Sequence, residues 1–393
     1  MAPPQQTSAS QTPLISPAEL SYLYTSLSLP EGPIRPDGRS PTQFRPLTAE
    51  TSIVPGANGS ARIGFADGTE AIVGVKAEIE RTLATDALDL RQLQELEQQY
   101  DGGGGEDSGA GEGSTAGVIG GQSSWVQMSI EIPGFRDDDA LPVFLSEMMR
   151  ESLVGASVAG TANDGENNNK LVGGLKGRLV INRRWHWRLY IDILLLSPPQ
   201  SYPLPLLSLT THLALLSTRL PKLKSQGEED PFFEDDWNLA EYLYPRGEHN
   251  NLRNQARPPV TLLVISADKN VIFDPTREEI AVADFVLAVS IGREIDETAG
   301  GGTNANLKLL SIRTIDPPSR LTQHGIPDSE NAATMGVATT DIPERTDEEV
   351  AGVWKPRRGG VSRGVISHMI KVVLERGGVG DEVMEGLERV DVT

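Results

Sequence analysis

Acidic side chains follow one short apolar segment in a pattern that could support metal binding or acid–base chemistry. Asp274 comes directly after Val271-Ile272-Phe273, and Glu278 and Glu279 lie close behind it. Carboxylates at the end of a strand can bind Mg²⁺ or act as general acid and base. The same residues fit a turn, Asp274-Pro275-Thr276, followed by a solvated edge. The sequence leaves both interpretations open, and the turn is the commoner of the two.

Three arginines are placed where they could contact phosphate groups. Arg183 and Arg184 lie at the tip of a predicted hairpin, and Arg150 lies near the end of a helix predicted over residues 138–154. Arginine often donates hydrogen bonds to phosphate oxygens in nucleic-acid interfaces. Arginines on turns and helix surfaces are more often simply solvated. The three are therefore candidate RNA-binding residues, with ordinary surface exposure as the alternative.

Other kinds of catalytic centre find no support in the sequence. The chain has no cysteine, which excludes disulfides and thiolate metal sites. No serine stands in a nucleophile-elbow pattern. The histidines are scattered, with no pair at ligand spacing, so we expect neither a metal site nor a cofactor; they are His186, His212, His249, His324 and His368.

The segments that must position these residues alternate between strand and helix patterns. Helices are predicted at 17–29, 138–154, 206–219 and 360–376, where apolar residues recur at helical spacing. Strands are predicted at 60–66, 69–79, 125–132, 171–181, 187–196, 260–266, 271–273, 280–290 and 306–314. This order predicts an α+β fold with mixed or antiparallel sheets and helices packed on their faces.

The net charge of −20 is concentrated in three segments. Residues 84–115, 225–257 and 317–350 carry net charges of −7, −5 and −5, which leaves −3 for the rest of the chain. A nearly neutral body does not exclude an RNA partner, but it argues against strong RNA binding by this chain alone. No apolar run is long enough for a membrane span, and the first residues lack a signal-peptide pattern, so we expect a soluble intracellular protein.

These acidic segments also suggest how the chain is divided. We predict a disordered tail, a first half that includes the N-terminal helix, an acidic insertion, a second half and a final tail. The predicted bounds are 1–16, 17–222 (with an acidic insertion at about 84–124), 223–257, 258–376 (with an acidic insertion at about 317–350) and 377–393.

Several short motifs, taken in order, give the chain a family resemblance. They are Ile34-Arg35-Pro36-Asp37-Gly38-Arg39, Gln43-Phe44-Arg45-Pro46, Asn58-Gly59-Ser60-Ala61-Arg62, residues 72–78, 190–196 and 217–221, and Val271 to Thr276 with Glu278 and Glu279. Together they resemble the RNase PH-like subunits of the eukaryotic RNA exosome. The likeness spans about residues 17–376 and breaks mainly at the acidic insertions. The specificity of the likeness comes from the ordered set of motifs.

The resemblance implies an RNase PH-like fold of the ribosomal protein S5 domain 2 type, with two βαβ-like halves. It implies a hetero-hexameric ring with five other RNase PH-like subunits, S1/KH-type cap subunits and a docked hydrolytic nuclease around single-stranded RNA. Such a complex would process rRNA and degrade RNA in the nucleus, nucleolus and cytoplasm. In related rings a non-catalytic subunit offers RNA an arginine from one helix, and Arg150 occupies a similar place.

The departures from the family pattern bear on activity. Catalytic members follow the long apolar strand with Asp-Gly and then a Gly-Thr-Arg or Gly-Ser-Arg loop, whose amides and arginine can hold phosphate. Here residues 197–205 read SPPQSYPLP; four prolines remove amide donors, and the next arginine is Arg219. Asp274-Pro275-Thr276 replaces an Asp-Leu-Asn-type segment. We therefore expect an inactive subunit without catalytic residues; the alternative is a phosphate-dependent 3′-to-5′ exoribonuclease that uses Asp274 or its neighbours.

Overall fold

The computed structural model describes ten ranges of the chain: 15–82, 123–155, 171–172, 174–175, 178–182, 184–225, 229–245, 257–295, 306–315 and 362–392. The helices are α1 (Pro17–Leu27), α2 (Ala140–Gly155), α3 (Leu204–Ser217), α4 (Arg277–Val282), α5 (Arg363–Val373) and α6 (Val379–Glu388). No helix within these ranges is long and apolar enough to cross a membrane.

Twelve strands are described in the same ranges. They are β1 (Leu47–Thr51), β2 (Gly59–Phe65), β3 (Glu70–Arg81), β4 (Val126–Glu131), β5 (Leu171–Val172), β6 (Trp185–Leu195), β7 (Arg219–Leu220), β8 (Glu241–Tyr242), β9 (Val260–Ala267), β10 (Asn270–Phe273), β11 (Phe285–Ile295) and β12 (Asn306–Ile315). Single turns of 3₁₀ helix cover Ser123–Trp125 and Trp237–Leu239.

The first sheet is mixed and has the strand order β1-β2-β3-β6-β4. The β2–β3 hairpin turns at the predicted Asp67-Gly68, where Gly68 has a φ of 85° that glycine adopts readily. Strand β4 pairs with β6 in parallel, and α2 connects them, so β4-α2-β6 is a βαβ unit.

The second sheet has the order β10-β9-β11-β12, and the short β5 also pairs with β11. Every described pair in this sheet is antiparallel. The α+β class with mixed and antiparallel sheets is therefore confirmed. Among the described strands, the expected βαβ-like arrangement holds for the first sheet only.

Helix α3 fills the space between the two sheets. All of its residues are buried, and it packs against β2 and β3 on one side and β9 on the other. A helix covered on every side must be apolar all around, as the run of leucines in α3 is. Two of its polar residues satisfy strand amides: Ser208 Oγ accepts from Thr261 N at 2.7 Å and Ser217 Oγ from Ser60 N at 3.0 Å.

Asn58 and Gly59 join the start of β2 to the end of α3. The Asn58 side chain accepts from Ala77 N at 2.9 Å and donates to Arg219 O at 3.1 Å. A Cβ on Gly59 would lie 2.5 Å from Thr218 Cα and 2.6 Å from Thr218 N. Only glycine lets the two backbones approach this closely, which gives the Asn58-Gly59 motif a packing role.

Two predicted strands are wrong in their extent. Of the residues described between 171 and 181, Leu171–Val172 alone is a strand, and it pairs with β11 rather than with β6. The predicted hairpin persists only as an isolated bridge between Val180 and His186. The strand predicted at 280–290 begins too early. Residues 277–282 form α4 instead, because Thr276 and Glu279 make a reciprocal capping box.

Parts of two segments that the sequence sets apart from the halves are folded. The tail predicted at 377–393 contains α6, whose Val379, Met384 and Leu387 are buried. Within the acidic insertion at 223–257, Leu243 and Tyr244 are buried. Residues 1–14, 83–122 and 316–361, which hold most of the first tail and the other two acidic insertions, lie outside the described residues. The division into halves stays a prediction.

Replacing Gly59→Ala should destabilise the fold by about 2 kcal/mol, because the added methyl group overpacks against the Thr218 backbone. Urea denaturation followed by circular dichroism measures the change. Gly74→Ala in the paired strand is the matched control, since its Cβ would meet only Ala57 Cβ at 4.0 Å. Equal unfolding midpoints for the two variants would contradict the packing role.

Candidate functional site

Asp274 lies at the sharp turn that follows β10. Its φ is 46°, in the left-handed region that aspartate and asparagine tolerate better than most residues. Its side chain has no exposed surface. The turn is fixed on the β10 side by Phe273 N, which donates to Pro41 O at 2.8 Å, and continues into the capping box of Thr276. Asp274 is thus a buried turn residue rather than an open strand end.

Two arginines enclose the Asp274 carboxylate. Arg39 Nη1 donates to Oδ2 at 2.9 Å, while Arg45 donates through Nε to Oδ2 at 2.9 Å and through Nη2 to Oδ1 at 2.6 Å. The backbone N of Arg45 also donates to Oδ2 at 2.9 Å. Both carboxylate oxygens are therefore engaged by guanidinium donors, which leaves no open side of the carboxylate for a substrate.

A second buried pair lies beside the first. Arg35 Nε and Nη2 donate to the two carboxylate oxygens of Glu279, each at 2.8 Å, and both side chains are fully buried. The same guanidinium donates to Phe273 O at 3.1 Å and to Asp274 O at 2.9 Å. These bonds satisfy almost all hydrogen-bond donors of the planar guanidinium, as a buried charge requires.

Asp67 extends this network to the tip of the β2–β3 hairpin. Arg45 Nη1 donates to Asp67 Oδ2 at 2.6 Å and to Ser201 Oγ at 2.8 Å, and its guanidinium lies 4.3 Å from the Phe65 ring centroid. Burial alone would raise the pKa of the Asp67 carboxyl, but hydrogen bonds from Thr69 and the charge of Arg45 outweigh it and hold the pKa below its ordinary value. The arginine is thus shared between two carboxylates.

We call the six side chains that form these ion pairs the arginine–carboxylate network: Arg35, Arg39, Arg45, Asp67, Asp274 and Glu279. The network joins the Arg-Pro-Asp-Gly-Arg and Gln-Phe-Arg-Pro motifs to the turn after β10. Of the expected acidic group, Asp274 and Glu279 are here, whereas Glu278 takes no described part. In the described ranges no group of three or more histidine and acidic side chains is placed to hold a metal ion. The arrangement is suited to a structural role.

The loop between β6 and α3 occupies the place where the family resemblance would put a phosphate. Ser197 Oγ accepts from Glu70 N and donates to Gly68 O, both at 3.3 Å, so it belongs to the neighbouring hairpin. Pro203 caps α3 without any side-chain hydrogen bond. Burial raises the pKa of the Tyr202 phenol, which packs against the core and stays neutral at physiological pH.

The first turn of α3 is closed to solvent. Leu204 and Leu207 have no exposed surface, and Leu206 is 2% exposed. A helix N-terminus binds anions through free amides that an anion can reach. Here Pro205 has no amide hydrogen and the leucines cover the remainder, so the turn offers a phosphate neither access nor a free cation.

Arg150 and Arg184 lie on different elements, and Arg183 is outside the described residues. Arg150 Nη2 donates to Glu147 Oε2 at 2.6 Å on the surface of α2. Arg184, in the turn before β6, is exposed and its backbone N donates to Asn182 Oδ1 at 2.9 Å. The structure does not assemble these arginines into one described site.

Arg150 also lines a groove between α2 and β12, of about 480 Å³, together with Phe144, Glu147, Met148, Glu151, Val154 and Arg313. Arg313 forms an ion pair with Glu151. Two arginines and two glutamates leave the groove without net charge. The groove is therefore a weak attractor of phosphate groups. The aromatic residue in its lining, Phe144, is 41% exposed.

Comparison with known proteins supports the exosome resemblance. The chain is 28% identical to exosome complex component RRP42 of Saccharomyces cerevisiae over 281 residues, which cover 70% of this chain and 81% of that protein. It is 29% identical to exosome complex component rrp42 of Schizosaccharomyces pombe over 283 residues, covering 70% and 78%. No protein-family model matches the chain. The resemblance to an exosome subunit is confirmed.

Within the exosome family, two runs predict RRP42 over its sibling, subunit forty-three: Ser21-Tyr22-Leu23-Tyr24 and Gly74-Val75-Lys76-Ala77-Glu78. Both curated relatives carry the RRP42 name, in agreement with that prediction.

Solved structures with a similar chain include an Archaeoglobus fulgidus exosome with RNA bound to the active site. Its chain is 17% identical, with a TM-score of 0.44, and the match covers 76% of this chain and 86% of that one. An archaeal exosome core is similar at 16% identity and a TM-score of 0.41, covering 75% and 84%. The sequence relatives, rather than these structures, carry the assignment.

Replacing Asp274→Asn should destabilise the fold by about 3 kcal/mol, because it removes the fully buried carboxylate that Arg39 and Arg45 share and leaves them only the more exposed Asp37 and Asp67. Asparagine tolerates the left-handed backbone, so the change tests charge rather than conformation. Asp268→Asn, at a second left-handed aspartate (φ 53°), is the control and should change stability by less than about 0.5 kcal/mol. An Asp274→Asn protein with parental stability in urea denaturation would show that the network is not structural.

Proposed function

We propose that this chain, which is RRP42-like in sequence, is a non-catalytic structural subunit of an RNA exosome ring. In that role it helps form the channel that guides single-stranded RNA to a 3′-to-5′ exoribonuclease, in rRNA processing and RNA degradation. Its partners would be five other RNase PH-like subunits, S1/KH-type cap subunits and a docked hydrolytic nuclease. The proposed locations are the nucleus, the nucleolus and the cytoplasm.

The closed first turn of α3 is the observation that carries the non-catalytic part of this proposal. Phosphorolysis needs an inorganic phosphate held in line with the scissile bond by amides or cations. The loop at 197–205 has four prolines, and Arg45, which donates to Ser201 in this loop, is bound to Asp274 and Asp67. Opening a phosphate site there would require breaking buried ion pairs and exposing core leucines.

The outer face of the first sheet supports a role within an assembly. Alternation along β6 buries Ile193 and Leu195 in the core and leaves Leu194 and Leu196 exposed by 41% and 43%. Ile72 lies beside Leu194 in register on the adjacent strand β3. Exposed apolar side chains grouped on an open sheet face are typical of surfaces that another subunit covers.

The proposal is tested by purifying the complex that forms around a tagged full-length chain and measuring its composition and mass. We expect five other RNase PH-like chains in equal amounts. We also expect no phosphate-dependent release of nucleoside diphosphates from RNA by the purified chain. A homohexamer that releases nucleoside diphosphates would overturn the proposal and support the alternative of an active phosphorolytic exoribonuclease.

We further propose that Arg150, Arg183 and Arg184 touch the RNA backbone in the assembled ring. Each phosphate contact that is lost should lower the slope of log affinity against log salt by about 1. We therefore expect the Arg150→Ala/Arg184→Ala complex to bind single-stranded RNA several-fold more weakly, with a shallower salt dependence, in fluorescence anisotropy titrations. Arg389→Ala, at a side chain that is 80% exposed, is the control. Unchanged salt slopes would remove these arginines from the RNA path.

A further inference from the structure

Residues 229–241 form a surface that we call the acidic–aromatic segment. It contains six acidic residues and no lysine or arginine, and it includes Phe232, Phe233 and Trp237. The sequence places it in an acidic insertion, where a solvated loop is the ordinary expectation. Acidic loops rarely carry this density of large aromatic side chains.

The backbone of this segment is fixed to the folded body. Lys224 N donates to Phe232 O at 2.8 Å and Glu234 N donates to Lys222 O at 2.9 Å, so residues 222–225 and 232–234 pair as a short ladder. Trp185 Nε1 donates to Asp230 Oδ1 at 3.1 Å. The pairing of β7 with β8 closes the other end.

One aromatic residue anchors the segment while the others remain outside. The Phe233 ring packs against Trp187, with centroids 5.1 Å apart. In contrast, Phe232, Trp237 and Leu239 are 63%, 48% and 49% exposed. Because hydrogen bonds hold the backbone, these side chains cannot escape water by a local collapse of the loop.

Exposed apolar side chains are concentrated in and beside the acidic–aromatic segment. Four of the thirteen large apolar residues found exposed in the described ranges lie between residues 223 and 239, with Leu223 as the fourth. Single exposed apolar residues are ordinary on protein surfaces, but a rigid group rimmed by charge is typical of an interaction site. Aromatic side chains are also the commonest energetic anchors of protein interfaces.

We propose that the acidic–aromatic segment binds a short basic segment of another protein that carries apolar anchor side chains. Carboxylates of Glu229, Asp235 and Glu241 attract the lysines and arginines of the partner and set its orientation. The exposed Phe232 and Trp237 rings then bury its apolar residues and supply most of the affinity. This interaction is separate from the proposed ring function and does not depend on it.

The charge of the segment excludes RNA as its occupant. Aromatic rings can stack on bases, but single-stranded nucleic-acid sites combine such rings with cations that track the phosphates. Here residues 229–241 carry six carboxylates and no cation. The ammonium of Lys224, on the paired strand, lies 5.6 Å from the Phe232 ring centroid. Lys224 is held by Glu234 at 2.8 Å.

The experiment measures binding of a fluorescent peptide of about twelve residues, with alternating lysine and leucine, to the full-length chain by anisotropy. We expect the double variant Phe232→Ser/Trp237→Ser to bind at least about tenfold more weakly than the parent. Asp235→Asn/Glu241→Gln should weaken binding several-fold at low salt, and this difference should shrink at about 0.5 M NaCl. Circular dichroism confirms that each variant is folded.

Tyr22→Ser/Ile34→Ser is the matched control, because these side chains are 74% and 62% exposed elsewhere on the surface. Its affinity should equal that of the parent. Equal affinities of parent, control and double variant would overturn the proposal, since the peptide would then follow only the overall negative charge.

Discussion

The guanidinium of Arg35 holds together two parts of the chain that lie 244 residues apart in sequence. It is buried with Glu279, and its remaining hydrogen bonds go to the backbone carbonyls of Phe273 and Asp274 at the end of β10 and of Ser40 and Gln43 in its own segment. Arg39 and Arg45 fix Asp274 in the same turn. A buried charge is tolerated only when it is paired and hydrogen-bonded on all sides, so each member of the arginine–carboxylate network constrains the positions of the others. The network thereby fixes the relative positions of three segments: the extended chain after α1, the hairpin tip at Asp67 and the start of α4.

Helix α3 shows how core packing and phosphate binding place opposite demands on the same residues. The gap between two sheets is filled most effectively by a helix that is apolar all around, and the leucines of α3 meet that demand from its first residue onward. A phosphate-binding helix must keep its first turn open and its amides free. The two requirements conflict at the same turn. In this chain core packing prevails, with Pro203 and Pro205 beginning a helix that has no solvated end.

Local signals in the sequence predict the elements that depend on local chemistry. Asp67-Gly68 predicts the β2–β3 turn, and the leucine run predicts α3. The edge strand β1 was missed because its side chains are mostly exposed and show no clear alternation. Helix α4 was taken for the beginning of a strand because Ile280, Ala281 and Val282 continue into the apolar run of β11, whereas the deciding signal is the Thr276 and Glu279 capping box.

The site could be predicted only in part, because its interactions are distant in sequence. The sequence draws attention to Asp274, yet its partners Arg39 and Arg45 stand more than 220 positions earlier, and no periodicity connects them. The glutamate partner of Arg150 was within reach, since residues three apart on a helix are neighbours. The exposure of Phe232 and Trp237 could not be predicted from the sequence, because aromatic residues are more often found in the core.

The large sequence separation between Arg35 and Glu279 also affects how the chain folds during synthesis. During synthesis the Arg-Pro-Asp-Gly-Arg segment leaves the ribosome long before Glu279 exists, while β2, β3, β4, α2 and β6 can already pair among themselves. At about 5–20 residues per second, this segment waits more than ten seconds for its partner. Throughout that interval its arginines are solvated and the face of α3 that will meet β9 is uncovered. The nascent chain up to α3 is thus an incomplete core that only the arrival of the second sheet can close.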